Sequence, residues 1–129
     1  MKKVNTVAII GTGVIGASWA AFYLYKGFLV NAFDPAEKAQ ENLIKRISIY
    51  LQDLFELDQV QDAELKLEQL IGNLSFHPNL SDAVKDADFI QENGPERLDL
   101  KQSLYEEMTQ HCPQDTIIAS SSSGLKVSD

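Results

Sequence analysis

The sequence predicts an α/β fold built on a doubly wound parallel sheet, and two observations lead to that prediction. Residues 7–16 read VAIIGTGVIG, an apolar run that ends in a glycine turn before a helix-forming run. Further along the chain, short apolar segments alternate with segments of helical periodicity. Such alternation is typical of parallel strands joined by right-handed helical crossovers.

The first part of the chain supplies two strands with one helix between them. Residues 4–10 form the first strand, because a near-continuous apolar run indicates burial on both faces. A helix over residues 14–26 should face the sheet with Ile15, Trp19 and Phe22. Gly27 should end that helix. Residues 29–33 form the second strand, which places Asp34 at its carboxyl end.

A helical hairpin should separate the second strand from the third. Pro35 is tolerated at an early helical position, so a long helix is expected over residues 36–54. Its apolar stripe consists of Leu43, Ile44, Ile47 and Leu51. The second helix of the hairpin spans residues 63–71 and is indicated by Leu65, Leu67 and Leu70.

The second half of the chain continues the alternation. Ser81 and Asp82 should cap a brief helix. We expect strands at residues 74–77, 89–91 and 116–119, and helices at residues 83–85 and 96–111. Residues 120–124 form a polar loop.

Composition restricts the class of protein. A chain of 129 residues suggests one domain, and its net charge of −8 argues against a nucleic-acid partner. No run of 18 or more apolar residues is present, so no membrane partner is expected. The single cysteine, Cys112, excludes an internal disulfide and fits a cytoplasmic protein. Cys112 precedes Pro113, and no base that could activate it is apparent.

The glycine turn predicts a dinucleotide site of the Rossmann type. Gly11 permits a tight turn, Gly13 lets a pyrophosphate approach the backbone, and Gly16 allows close helix–strand packing. Val14 and Ile15 begin the helix, whose N-terminus favours phosphate. Asp34 stands near the spacing of about 20 residues expected of an acid that binds ribose. The alternative is a turn that only needs small residues.

Three loops should meet at one edge of the sheet. In the usual strand order the first and fourth strands are neighbours, and ligands bind beyond their carboxyl ends. The loops at residues 11–16, 91–96 and 120–124 therefore converge there. The last two are candidates for contact with the nicotinamide half of the cofactor and with the substrate.

These loops resemble the NAD-binding domain of the 3-hydroxyacyl-CoA dehydrogenase family. The resemblance rests on GTGVIG at residues 11–16, QENGPERLDLK at residues 91–101 and ASSSSGL at residues 119–125. The residues of the last two segments, together with GASWAA at residues 16–21, are more similar to the carnitine dehydrogenase and lambda-crystallin (gulonate dehydrogenase) branch. Ser121 stands where the acyl-CoA branch has asparagine, and Asn93 where it has alanine. Both differences argue against the acyl-CoA branch.

The resemblance implies NAD as cofactor and a role for several residues. Asp34 matches the acid on the adenosine ribose, and Glu96 and Lys101 match positions near the nicotinamide. Ser121 joins the cofactor-binding positions. Ser123 matches the catalytic serine that hydrogen-bonds the reacting hydroxyl or carbonyl. Each also has a plainer explanation: a favoured acid at a helix start for Glu96, a solvated charge for Lys101, and turn chemistry for Ser123 and Asp34.

The expected function is the NAD-binding half of an oxidoreductase that oxidises a secondary 3-hydroxy group to a ketone. The family's catalytic histidine and its glutamate partner follow the serine loop, so the expectation is a domain at residues 1–129 that is truncated. The helical substrate and dimerisation domain would be absent, and a homodimer would need it. His77 and His111 are not expected to be catalytic, and no metal is expected. The alternative is a non-catalytic NAD-binding or structural module.

Overall fold

The computed structural model describes residues 5–93 and 98–120. Its elements in chain order are β1 (Thr6–Ile10), α1 (Val14–Tyr25), β2 (Leu29–Phe33), α2 (Ala39–Leu57), α3 (Ala63–Ile71), β3 (Leu74–Phe76), α4 (Leu80–Val84), β4 (Phe89–Glu92), α5 (Leu98–His111) and β5 (Ile117–Ser120). The strands form a 5-stranded parallel sheet in the order β3-β2-β1-β4-β5. The predicted doubly wound sheet is confirmed, and α2 and α3 form the expected helical hairpin.

The strand register brings three carboxyl ends together. Ile10 at the end of β1 pairs with Phe33 of β2 on one side and with Glu92 of β4 on the other. The chain builds the sheet outward from β1 to β3 and then crosses to β4, so the order reverses between β1 and β4. This reversal is the switch point at which α/β sheets bind ligands.

Helices cover both faces of the sheet. On one face, α1 packs on the strands that carry Val7, Ile9, Val30 and Ala32, and residues of α2 and α3 extend the same cluster beyond α1. On the other face, α4 and α5 pack against Ala8, Ile10 and Ile90. Because both faces are covered, the central strands are apolar along nearly their whole length, as the sequence indicated.

The predicted buried face of α1 is wrong. Ile15 and Phe22 are 57% and 45% exposed, and Trp19 is half-buried against Tyr23. The helix instead buries its small side chains and one leucine: Gly16, Ala17, Ala20, Ala21 and Leu24. Small residues let the helix axis approach the sheet closely, which turns the larger side chains outward.

The predicted start of α2 is also wrong. The helix begins at Ala39, because Lys38 has a φ of 59° in the left-handed region. The backbone N–H of Ala36 donates to Asp34 Oδ1 at 2.9 Å, which holds residues 34–36 in a turn. The stripe of α2 consists of Leu43, Ile47, Leu51 and Phe55, while Ile44 is partly exposed.

The remaining differences concern element ends. The fourth helix spans Leu80–Val84 with Asn79 at its N-cap, so Ser81 and Asp82 lie inside it rather than before it. The third strand ends at Phe76, the fourth extends to Glu92, and the fifth is shifted by one residue to Ile117–Ser120. In the described part of the chain, no helix is long and apolar enough to cross a bilayer.

Candidate dinucleotide site

The glycine turn after β1 has a geometry that only glycine adopts easily. Gly11 has a φ of +90°, a conformation that L side chains rarely take. Its backbone N–H donates to the carbonyl oxygen of Phe33 at 2.9 Å, which ties the turn to the end of β2. The turn is therefore built into the edge of the sheet.

Glycine stands at positions 16 and 13 for different reasons. A Cβ on Gly16 would lie 2.0 Å from the carbonyl oxygen of Gly11, so the fold itself requires glycine there. A Cβ on Gly13 would meet nothing within 4 Å, and its φ of −66° suits any residue. Neither packing nor backbone conformation requires glycine at position 13, so the backbone there is open to a molecule that approaches from outside.

The N-terminus of α1 presents free N–H groups beside Gly13. The backbone N–H of Ala17 donates to the carbonyl oxygen of Gly13 at 2.8 Å and closes the first helical turn. The N–H groups of Val14, Ile15 and Gly16 precede that bond, so they have no acceptor within the helix. The first turn of α1 carries no acidic residue. Phosphate oxygens fit such a helix start.

Asp34 holds the glycine turn as well as the end of β2. Its Oδ2 accepts from the backbone N–H of Thr12 at 2.7 Å and from Thr12 Oγ1 at 3.1 Å. Its Oδ1 accepts from the N–H of Ala36. Thr12 is only 2% exposed, whereas Asp34 is half-buried. The carboxylate is thus fixed at the rim of the turn, where a ribose hydroxyl can reach it.

Asn93 braces the turn from the side of β4. Its N–H donates to the carbonyl oxygen of Ile10 at 2.8 Å. Its Nδ2 donates to the carbonyl oxygens of Gly11 and Gln91, each at 3.3 Å. In the sequence Asn93 stands out only as a difference from the acyl-CoA branch, because its hydrogen-bond partners depend on the pairing of β1 with β4.

A cleft of about 460 Å³ opens along this edge of the sheet. Its floor and walls comprise Ile10, Gly11, Gly13, Phe33, Asp34, Pro35, Asn93, Ser103, Leu104 and Glu107. The last three belong to α5, and no motif in the sequence predicts them as site residues. The spacing of four residues between positions 103 and 107 was the available signal, since it places both on one helix face.

The structure brings together only part of the predicted site. Gly11, Gly13 and Asp34 line the cleft, Gly16 packs behind the turn, and Val14 and Ile15 lie exposed at the helix start, 58% and 57% respectively. Glu96, Ser121 and Ser123 lie outside the described residues, as does the side chain of Lys101. Within the described ranges, no group of three or more His, Cys, Asp or Glu side chains is placed to hold a metal.

These features define a dinucleotide-binding domain. The bare backbone at Gly13, the open helix start and the acid at the end of β2 match the pyrophosphate and the ribose of such a cofactor. The family model of the 3-hydroxyacyl-CoA dehydrogenase NAD-binding domain matches residues 6–129, in agreement with a dinucleotide site. The chain belongs to this NAD-binding domain family, whose parent enzymes are NAD-dependent dehydrogenases.

Individual relatives agree with the family. The chain is 42% identical over 128 residues to an L-carnitine dehydrogenase of Nocardiopsis dassonvillei, covering 99% of this chain and 37% of that protein. A diketoreductase structure matches with a TM-score of 0.82 and 34% identity, covering 97% of this chain and 44% of that one. A 3-hydroxybutyryl-CoA dehydrogenase from Escherichia coli matches with a TM-score of 0.84 and 25% identity, covering 96% and 26%. The chain thus spans less than half the length of each relative.

Proposed function

We propose that this chain is the NAD-binding half of a dehydrogenase that oxidises a secondary 3-hydroxy group to a ketone, with carnitine or a similar small 3-hydroxy compound as substrate. The 42% identity to an L-carnitine dehydrogenase supports this choice. Asn93 and Ser121 support it as well, since both differ from the acyl-CoA branch. NAD supplies the hydride acceptor.

The chain's own residues bind the cofactor and orient the substrate. The N–H groups at the start of α1 hold the pyrophosphate beside Gly13, and Asp34 accepts hydrogen bonds from the adenosine ribose. Glu96, Lys101 and Ser121 serve the nicotinamide side. Ser123 hydrogen-bonds the reacting oxygen and so orients the carbon that loses hydride.

In this proposal the whole protein also requires a second domain and a catalytic base. A helical second domain, following the NAD-binding domain at residues 1–129, would close the substrate site and form a homodimer. It and the segment before it would supply the histidine base and its glutamate partner. We further infer a cytoplasmic enzyme of fatty acid metabolism, which the family resemblance and the single cysteine support.

The observation that carries the cofactor assignment is the open space at Gly13, and a pair of variants tests it. Gly13→Ala adds a methyl group that no protein atom opposes, so the fold should keep its stability. The same methyl group would occupy the approach to the pyrophosphate, so the Kd for NAD should rise about tenfold or more, which corresponds to about 1.4 kcal/mol. Calorimetric titration with NAD and a thermal melt measure the two effects.

Gly16→Ala is the matched control. Its methyl group would lie 2.0 Å from a backbone oxygen, so we expect a loss of stability of about 1–3 kcal/mol or more. If Gly13→Ala binds NAD as tightly as the unmodified chain, the cofactor does not pass over Gly13 and the proposal is wrong.

A further inference from the structure

Helix α5 presents three faces. Leu104 and Met108 pack on the sheet, and Met108 is 1% exposed. Tyr105 and Thr109 lie on the side of β5, where they line a separate depression with Ile118. The third face carries Ser103 and Glu107, one helical turn apart, and both line the dinucleotide cleft.

The proposed function determines which part of the cofactor meets this face. The cleft includes Asp34, which binds the adenosine ribose in that proposal, and continues to Pro35 and α5. The base attached to that ribose therefore lies between the end of β2 and α5. The apolar side chains of Ile10, Phe33, Pro35 and Leu104 suit the faces of a flat aromatic ring.

The polar groups on this wall differ in what they can recognise. The Ser103 hydroxyl both donates and accepts, so it suits many ring edges. The Glu107 carboxylate only accepts. Adenine has an amino group at its 6-position, which donates, whereas hypoxanthine has a carbonyl oxygen there, which accepts. A carboxylate facing the 6-position attracts the amino group of adenine and repels the carbonyl oxygen of hypoxanthine.

We propose that Glu107 is a specificity-determining residue that accepts a hydrogen bond from the 6-amino group of adenine and rejects purines with a 6-oxo group. The proposal rests on the proposed function, because it needs the dinucleotide in this cleft. It assigns the cleft a base selectivity that the glycine turn and Asp34 cannot provide, since they contact only phosphate and sugar.

The test compares NAD with nicotinamide hypoxanthine dinucleotide, in which a carbonyl oxygen replaces the 6-amino group of the purine and N1 carries a hydrogen. Calorimetric Kd values are measured for the unmodified chain and for Glu107→Gln. The unmodified chain should prefer NAD by about tenfold, the effect of one hydrogen bond to a charged group. Glutamine can turn its amide to donate or to accept, so Glu107→Gln should bring the two Kd values to within about twofold.

Glu106→Gln is the matched control. Glu106 is exposed and does not belong to the cleft lining, but its replacement removes the same charge from the same helix. It should keep the tenfold preference for NAD. The loss of charge near the phosphates affects both nucleotides alike, so the ratio of the two Kd values isolates base recognition.

The outcomes separate the two proposals. Equal Kd values in the unmodified chain, or an unchanged ratio in Glu107→Gln, overturn the role of Glu107 and leave NAD binding in place. If neither nucleotide binds the unmodified chain, the proposed function fails and the base selectivity fails with it.

Discussion

Asp34 links cofactor choice to the architecture of the glycine turn. Three hydrogen bonds, from Thr12 N–H, Thr12 Oγ1 and Ala36 N–H, fix its carboxylate at the rim of the cleft. A carboxylate held in this way cannot swing aside to make room for a second anion. Its position therefore sets a preference between dinucleotides that differ by one phosphate.

We predict that the chain binds NAD at least about tenfold more tightly than NADP. Two unit charges 4 Å apart repel by about 1 kcal/mol even in bulk water, and a 2′-phosphate carries more than one. Asp34→Asn removes the charge and keeps the shape, so the preference should shrink. Calorimetric titration with both dinucleotides measures it.

Thr12→Val provides the control for that experiment. It removes the hydroxyl that donates to Asp34 and perturbs the same turn without altering its charge. The ratio of NADP to NAD dissociation constants should stay as it is in the unmodified chain. Equal or tighter binding of NADP by the unmodified chain would contradict the assignment of Asp34.

Residues with a local signature could be predicted, and residues that depend on register could not. The sequence predicts Gly11, Gly13, Gly16 and Asp34 as site residues, because the turn and its spacing are contained within one strand–helix–strand unit. The bonds of Asn93 join β4 to the turn after β1, across a sequence separation of 82 residues. Nothing local to Asn93 indicates that its amide faces the Gly11 carbonyl.

Among the elements, helix α1 shows why helical periodicity did not predict the buried face. The helix is apolar on nearly all sides, so no stripe distinguishes the face that meets the sheet. The decisive feature is side-chain size, since Ala17, Ala20 and Ala21 permit close approach. The hairpin helix α2 has polar residues between its apolar ones, and its buried stripe was predicted except for Ile44 and Phe55.

Because α1 buries Leu24 and exposes Phe22, we predict that two truncations in this helix lower the free energy of unfolding by different amounts. Leu24→Ala removes a side chain that is 0% exposed and should lower the free energy of unfolding by about 2–5 kcal/mol. Phe22→Ala removes a larger side chain that is 45% exposed and contacts Trp19 and Tyr23 at their ring edges. It should cost about 1 kcal/mol. Urea denaturation of both variants measures the two losses in the free energy of unfolding. An equal or greater loss for Phe22→Ala would show that the helix is rotated.

At the scale of the molecule, the sheet keeps both histidines away from the switch point. His77 follows β3, and its Nε2 lies 3.2 Å from Asn31 Oδ1 of β2. The edge strand β3 is three strand spacings from β4, or about 14 Å. His111 ends α5, whose 14 residues carry the chain about 20 Å from the start of that helix. The sequence contains no other histidine.

We therefore predict that residues 1–129 bind NAD but do not turn over. Alcohol oxidation needs a base within about 3 Å of the hydroxyl while hydride leaves. The Ser123 hydroxyl can orient that oxygen, but it is too weakly acidic to act as an unaided base. Glu92 ends β4 near the switch point, but it is 1% exposed and does not belong to the lining of the cleft.

The measurement is the steady-state absorbance of NADH with carnitine, gulonate and 3-hydroxybutyryl-CoA, each at saturating NAD. No sustained rise should occur with any of them, while calorimetry on the same sample should show NAD bound. Gly13→Ala, run in parallel, reports any NADH signal that does not depend on the dinucleotide site. Sustained turnover that Ser123→Ala abolishes would mean that these residues already contain a complete active site, with its base among the residues that follow β4 or β5.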